Sequence, residues 1–113
     1  MTLKLLTMEM SGSFLNSYTL LLEQRLLRPF LERSYGLELV LKLFELKTEE
    51  KEVSIDELFG LLKSPTPRRE AFGLFLNQLA DAQMIEKNKH SKKKTMKSIE
   101  LSQNVFNLIN DII

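Results

Sequence analysis

Apolar positions recur at helical intervals along most of this chain, and in one place they alternate as in a strand. In SIDELFGLLK, Ile55, Leu58, Leu61 and Leu62 fall on one side of a helix. Ser54 and Glu57 mark its start as a capping box, each side chain satisfying a free backbone N–H of the other. Ser64-Pro65-Thr66-Pro67 cannot continue the helix, because proline lacks an N–H and restricts the residue before it. The same residues open the next one, with Thr66 as N-cap and Pro67 at the first helical position, and that helix is predicted to run to about Gln83. At ~100° per residue, Ala71, Phe72, Phe75, Leu79 and Ala82 share its core face. The opposite side carries Arg69, Gly73 and Asn77, with Glu70 beside them. Met84-Ile85 then leads into a first strand. In KSIELS, Ile99 and Leu101 alternate with polar residues as a half-buried second strand does. Between the two strands lies a lysine-packed loop, so the pair reads as a hairpin with a basic tip, and Val53 is expected to add a short third strand.

The flanks follow the same logic. Residues 1–12 show no clear period and read as an arm. From Ser13, Tyr18, Leu21, Leu22, Arg25 and Leu26 fall at helical intervals, Leu20 and Leu27 widen the apolar face, and Pro29 is expected to end or kink the helix near Arg28. Tyr35-Gly36 loosens the start of a helix over 37–47, whose buried face is predicted as Leu37, Val40, Leu41 and Phe44, flanked by Leu39, Leu43 and Leu46. Thr48 to Glu52 is a charged loop. A last helix starts near Ser102 and is apolar at Val105, Phe106, Leu108, Ile109, Ile112 and Ile113. It is expected to pack on the N-terminal helix, its own or that of a partner chain.

The stretch from Ser54 to Ser102 has the element order of a winged helix-turn-helix. The expected fold class is α+β, mainly α, with a two-stranded basic wing and with N- and C-terminal helices for dimerisation. A single domain over 1–113 divides into an arm (1–12), an N-terminal dimerisation helix (13–33), the winged helix-turn-helix (37–102) and a C-terminal helix (103–113). The N-terminal helix has more apolar surface than one side of so small a module needs. That surface reads either as plain core or as a homodimer interface through Tyr18, Leu21, Leu22 and Leu26, with Phe106, Ile109 and Ile113 from the C-terminal helix.

Composition narrows the class. At 113 residues, with 43% hydrophobic and 27% charged residues, the chain matches an ordinary soluble domain. The lack of cysteine excludes disulfides and thiolate metal sites. No apolar run approaches the ~20 residues of a membrane span, and no secretory pattern opens the chain, so the expected location is cytoplasmic, with the nucleoid. The charge distribution says more than its total of +1. Residues 63–97 hold nine Lys or Arg against three Asp or Glu, and the remainder holds seven against twelve. One basic region set against an acidic remainder is an electrostatic footprint for phosphate.

The residue types in that region suit DNA. Arginine can take both major-groove acceptors of guanine and asparagine can pair with the adenine edge. The candidate DNA-reading residues are Thr66, Arg68, Arg69, Gly73 and Asn77. The wing contacts would come from Lys87, Lys89, His90, Lys92, Lys93, Lys94 and Lys97. The bland alternative is a solvated helix face followed by a lysine-rich surface loop. Catalysis is not expected: His90 is the single histidine and has no obvious carboxylate orienter, and no phosphate loop or Ser-His-Asp set occurs. Glu49, Glu50 and Glu52 have no further ligand group at metal spacing. No cofactor or metal is expected.

FLNQLADAQMIEK, a gap, SIELS and a last helix resemble the recognition helix, wing and following helix of MarR-type winged-helix regulators. SIDELFGLLKSPTP resembles the preceding helix and turn, and the likeness spans roughly residues 37–113. Two departures stand out. Those regulators usually carry glycine where this chain has Gln83, and an Asp-x-Arg element where it has SKKKTMK. Small SarA-like regulators and TubR-like plasmid centromere binders fit equally well. The resemblance implies sequence-specific binding of double-stranded DNA by a homodimeric transcriptional regulator. Alternatives are a plasmid partition or replication-initiation factor, and a winged helix used as a protein-interaction module.

Overall fold

The computed structural model describes residues 15–64, 68–89 and 97–113. They form an α+β, mainly helical fold. Residues 15–23 are helical (α1). A 3-10 turn (Arg25–Leu27) follows, then α2 (Arg28–Leu31), α3 (Gly36–Thr48), α4 (Ile55–Leu61), α5 (Arg69–Asp81), β1 (Ile85–Lys89), β2 (Lys97–Leu101) and α6 (Gln103–Ile112). The strands pair antiparallel, with Ile85 opposite Leu101 and Lys89 opposite Lys97. This order is compatible with a winged helix-turn-helix layout. Among the described residues, no helix is long and apolar enough to cross a membrane.

The core gathers Phe30, Leu39, Val40, Leu43, Leu58, Phe72, Phe75, Leu76, Leu79, Ile85, Ile99, Leu101 and Ile109, all buried. Its aromatic centre is Phe72. The Phe59 ring lies 5.1 Å away from it and the Tyr35 ring 5.9 Å, and Tyr35 also meets Phe75 edge-on at 5.6 Å. Full burial of such side chains is worth about 1.5–3 kcal/mol each.

The N-terminal segment is not one helix ending at Pro29. It breaks earlier, at the extended Gln24 (φ −74°, ψ 119°), and Pro29 sits in the first turn of α2. A first-turn N–H has no helical partner, so proline begins a helix there at no loss. The α3 face is also rotated from expectation. Leu39, Val40 and Leu43 are buried, while Leu37, Leu41 and Phe44 are half-buried. Leucines lie all around this helix, so periodicity alone could not orient it. At its start the backbones come close: a Cβ at Gly36 would overlap the Phe30 carbonyl oxygen.

In α5 the buried set is Phe72, Phe75, Leu76 and Leu79, and both Ala71 and Ala82 are exposed. The large side chains set the inward direction, because two methyl groups contribute too little area to compete. Within the described residues the helix starts at Arg69, with the extended Arg68 as N-cap. Thr66 and Pro67 themselves lie outside the described residues. Of the capping box at α4, the Ser54 half forms: its Oγ accepts from the Glu57 N–H at 3.2 Å, and Glu57 stays exposed. Leu61 is exposed and Leu62 half-buried, so Leu58 carries the burial of that helix.

The expected third strand at Val53 shrinks to one bridge between Ser54 and Ser98, with the Ile99 N–H donating to the Val53 carbonyl at 2.9 Å. A ring contact joins α6 to α3. Phe106 stacks on Phe44 at 5.0 Å. Lys47 Nζ sits 5.4 Å from the Phe106 ring and donates to the Leu101 carbonyl at 2.7 Å, tying α3 to the end of β2.

Candidate nucleic-acid interface

Two helix ends and one carboxylate position the surface formed by α4, α5 and the hairpin. α5 ends in a Schellman motif, in which the Gln83 N–H reaches the Ala80 carbonyl and the Met84 N–H reaches that of Leu79. This reverses the chain directly into β1. Gln83 therefore takes a left-handed conformation (φ 61°), one that favours glycine. α3 ends in the same way, with Glu50 at φ 56°. At the other end of α5, the turn leaving α4 is held by Glu38 on α3. Its carboxylate accepts from the Lys63 N–H at 3.1 Å and the Ser64 N–H at 2.9 Å. The Ser64 bond is the largest influence on this carboxyl and holds its pKa below the ordinary value, against a smaller upward push from burial.

The predicted stripe on α5 borders the hairpin. Arg69 Nε donates to Asp56 Oδ1 on α4 at 2.6 Å. Asn77 Oδ1 accepts from Lys87 Nζ on β1. Arg69 and Lys97 line one hollow of about 130 Å³ with Ser54, Ile55 and Asp56. Arg69, Gly73 and Asn77 thus face the side of α5 on which Lys87 and Lys97 lie. The hairpin has two unlike faces. Side chains alternate along a strand, so Glu86 and Glu100 oppose each other on one face, while Lys87 and Lys97 share the other. Asn88 Nδ2 donates to Glu100 Oε1 at 2.7 Å on the acidic side.

Arg68 and Lys97 are exposed and Lys87 is half-buried. Thr66, His90, Lys92, Lys93 and Lys94 lie outside the described residues, and for Lys89 the described part is its place in β1. Sequence reasoning did not single out Asp56, Glu38 or Leu74. Asp56 is one of two acids in the first turn of α4 and has no sequence neighbour that marks it out. Glu38 meets its partners 25 and 26 residues away and carries no local signal. Leu74 is 63% exposed. At ~100° per residue it lies with Glu70, Asn77 and Asp81 opposite the buried face, so the outward centre of α5 is more acidic and more apolar than the stripe beside it.

The residues expected at a dimer interface divide in two. Leu21 and Ile109 are consumed by the chain's own core, and Leu26 and Phe106 are half-buried. Tyr18, Leu22 and Ile113 are exposed, as are Leu15 and Leu20.

No family model matches this chain, and no curated protein matches it either. Among solved structures it is similar to the crystal structure of AF1382 from Archaeoglobus fulgidus. The TM-score is 0.54, the match covers 71% of this chain and 81% of that one, and sequence identity is 18%. The likeness is one of fold.

Proposed function

We propose that this chain is a homodimeric winged-helix protein that binds double-stranded DNA and regulates transcription. One observation carries the reading: Arg69 and Asn77 on α5 adjoin Lys97 and Lys87 of the hairpin, so cations from two elements border one helix stripe. In this reading the hairpin lysines and Arg69 beside them neutralise phosphates and fix the register, while Arg68 and Asn77 at the stripe choose among base edges. The exposed Leu15, Tyr18, Leu20 and Leu22 on α1 support the pairing of two copies. Two copies would engage two half-sites.

Fluorescence anisotropy on the duplex upstream of the protein's own gene and on a scrambled duplex tests the reading. The upstream duplex is expected to bind more tightly, and Asn77→Ala to narrow the difference. Lack of binding to either duplex at low salt contradicts it. A second reading, a protein-interaction module, is favoured by exposed Leu74 between Glu70 and Asp81. It predicts that Leu74→Ala disrupts partner capture while Asn77→Ala changes nothing.

A further inference from the structure

Arg69 is already engaged within the protein. Its partner Asp56 lies in the first turn of α4 and Arg69 in the first turn of α5, so their contact spans the turn between the two helices. Gly73, one turn along α5, has no positive φ that would require glycine. A Cβ there would come within 2.9 Å of Arg69 Nη1, so the bare backbone leaves room for the guanidinium to lie along the helix. The Asp56 carboxylate shares its hollow with a second cation, Lys97. A carboxylate and a phosphate use the same donors of a guanidinium.

We propose that Asp56 is an internal competitor for DNA phosphate: it holds Arg69 in the free protein and yields it when a phosphate arrives between Arg69 and Lys97. The inference rests on the DNA-binding reading above and adds to it a residue that sets affinity. The exchange strands no buried charge, because the Asp56 side chain is 69% exposed and that of Arg69 42% exposed. An ion pair this open is weak enough to be exchanged. Binding is therefore tempered rather than blocked.

The test is a double-mutant cycle read by anisotropy on one duplex at fixed salt, with wild type, Asp56→Asn, Arg69→Gln and the double variant. Glu57→Gln is the control, since this neighbouring exposed carboxylate does not pair with Arg69. Asp56→Asn is expected to tighten binding about two- to five-fold, the range an exposed ion pair spans. The gain should vanish in the Arg69→Gln background and exceed that from Glu57→Gln. Equal gains in both backgrounds, or from both carboxylates, overturn the proposal, because Asp56 would then act as background charge alone. A wild type that binds and an Asp56→Asn that binds no better overturn it while leaving the DNA reading intact. A wild type that does not bind at all overturns both.

Discussion

Helices α5 and α1 carry similar apolar content and spend it differently. α5 buries Phe72, Phe75, Leu76 and Leu79 in its own chain, whereas α1 buries Leu21 and leaves Leu15, Tyr18, Leu20 and Leu22 exposed. α5 is held from within, and its outer face carries charged and polar residues with one exposed leucine, Leu74. α1 has an outer face that remains apolar, a composition that suits association. Removing side chains from the two helices should therefore have unlike consequences.

The largest expected effect falls on α5. Phe72→Ala should cost about 3–5 kcal/mol of folding stability by urea denaturation, because it empties the space that Phe59 and Tyr35 pack against. A loss below 1 kcal/mol would mean that α5 is not anchored as described. Next is the turn that leads into α5. Glu38→Gln should cost about 1 kcal/mol, since the amide oxygen replaces charge-assisted acceptors of the Lys63 and Ser64 N–H groups. The Glu38 carboxyl is shifted down in the folded state, so its contribution is present above its ordinary value of 4.5 and is lost as pH falls through the depressed one. The gap between wild type and Glu38→Gln should accordingly close on acidification. A constant gap across that window would contradict the account.

Gln83→Gly should raise stability by about 0.5–1 kcal/mol, because a left-handed C-terminal position favours glycine even after its unfolded-state entropy is counted. A thermal melt that moves down would show that the Gln83 side chain contributes something the backbone geometry does not. The smallest effect on folding belongs to α1. Leu22→Ser should shift stability by less than ~0.5 kcal/mol, as exposed substitutions do. In sedimentation velocity the same variant should move the population from dimer towards monomer. If wild type already sediments as a monomer, the contrast between the two helices has another cause.

Local signals made much of this fold legible. The Ser54 cap, the break after α4, the α5 pattern and the alternation at Ile99 and Leu101 all depend on neighbours in sequence, and each predicted an element that is present. The misplacements arose where tertiary contact decides. α3 carries leucines on opposite sides, and the side that is buried is Leu39, Val40 and Leu43. The interruption at Gln24 carries no proline or glycine to announce it. At the candidate site, Arg69, Asn77 and the hairpin lysines were readable from residue type and spacing. The partner Asp56 was not, since it meets the stripe from α4 across 13 residues, and the pairing of Lys87 with Asn77 spans 10.

The salt dependence of DNA binding tests the central claim most directly. Log affinity of wild type should fall linearly against log salt, with a slope near −0.9 per neutralised phosphate, or about −4 to −5 for four to six contacts. Changing Lys92, Lys93 and Lys94 together to Ala should flatten that slope and weaken good and poor duplexes alike, whereas Asn77→Ala should erode the difference between them. A slope unchanged by the triple variant, or two variants that behave alike, would contradict the division of labour between hairpin and helix.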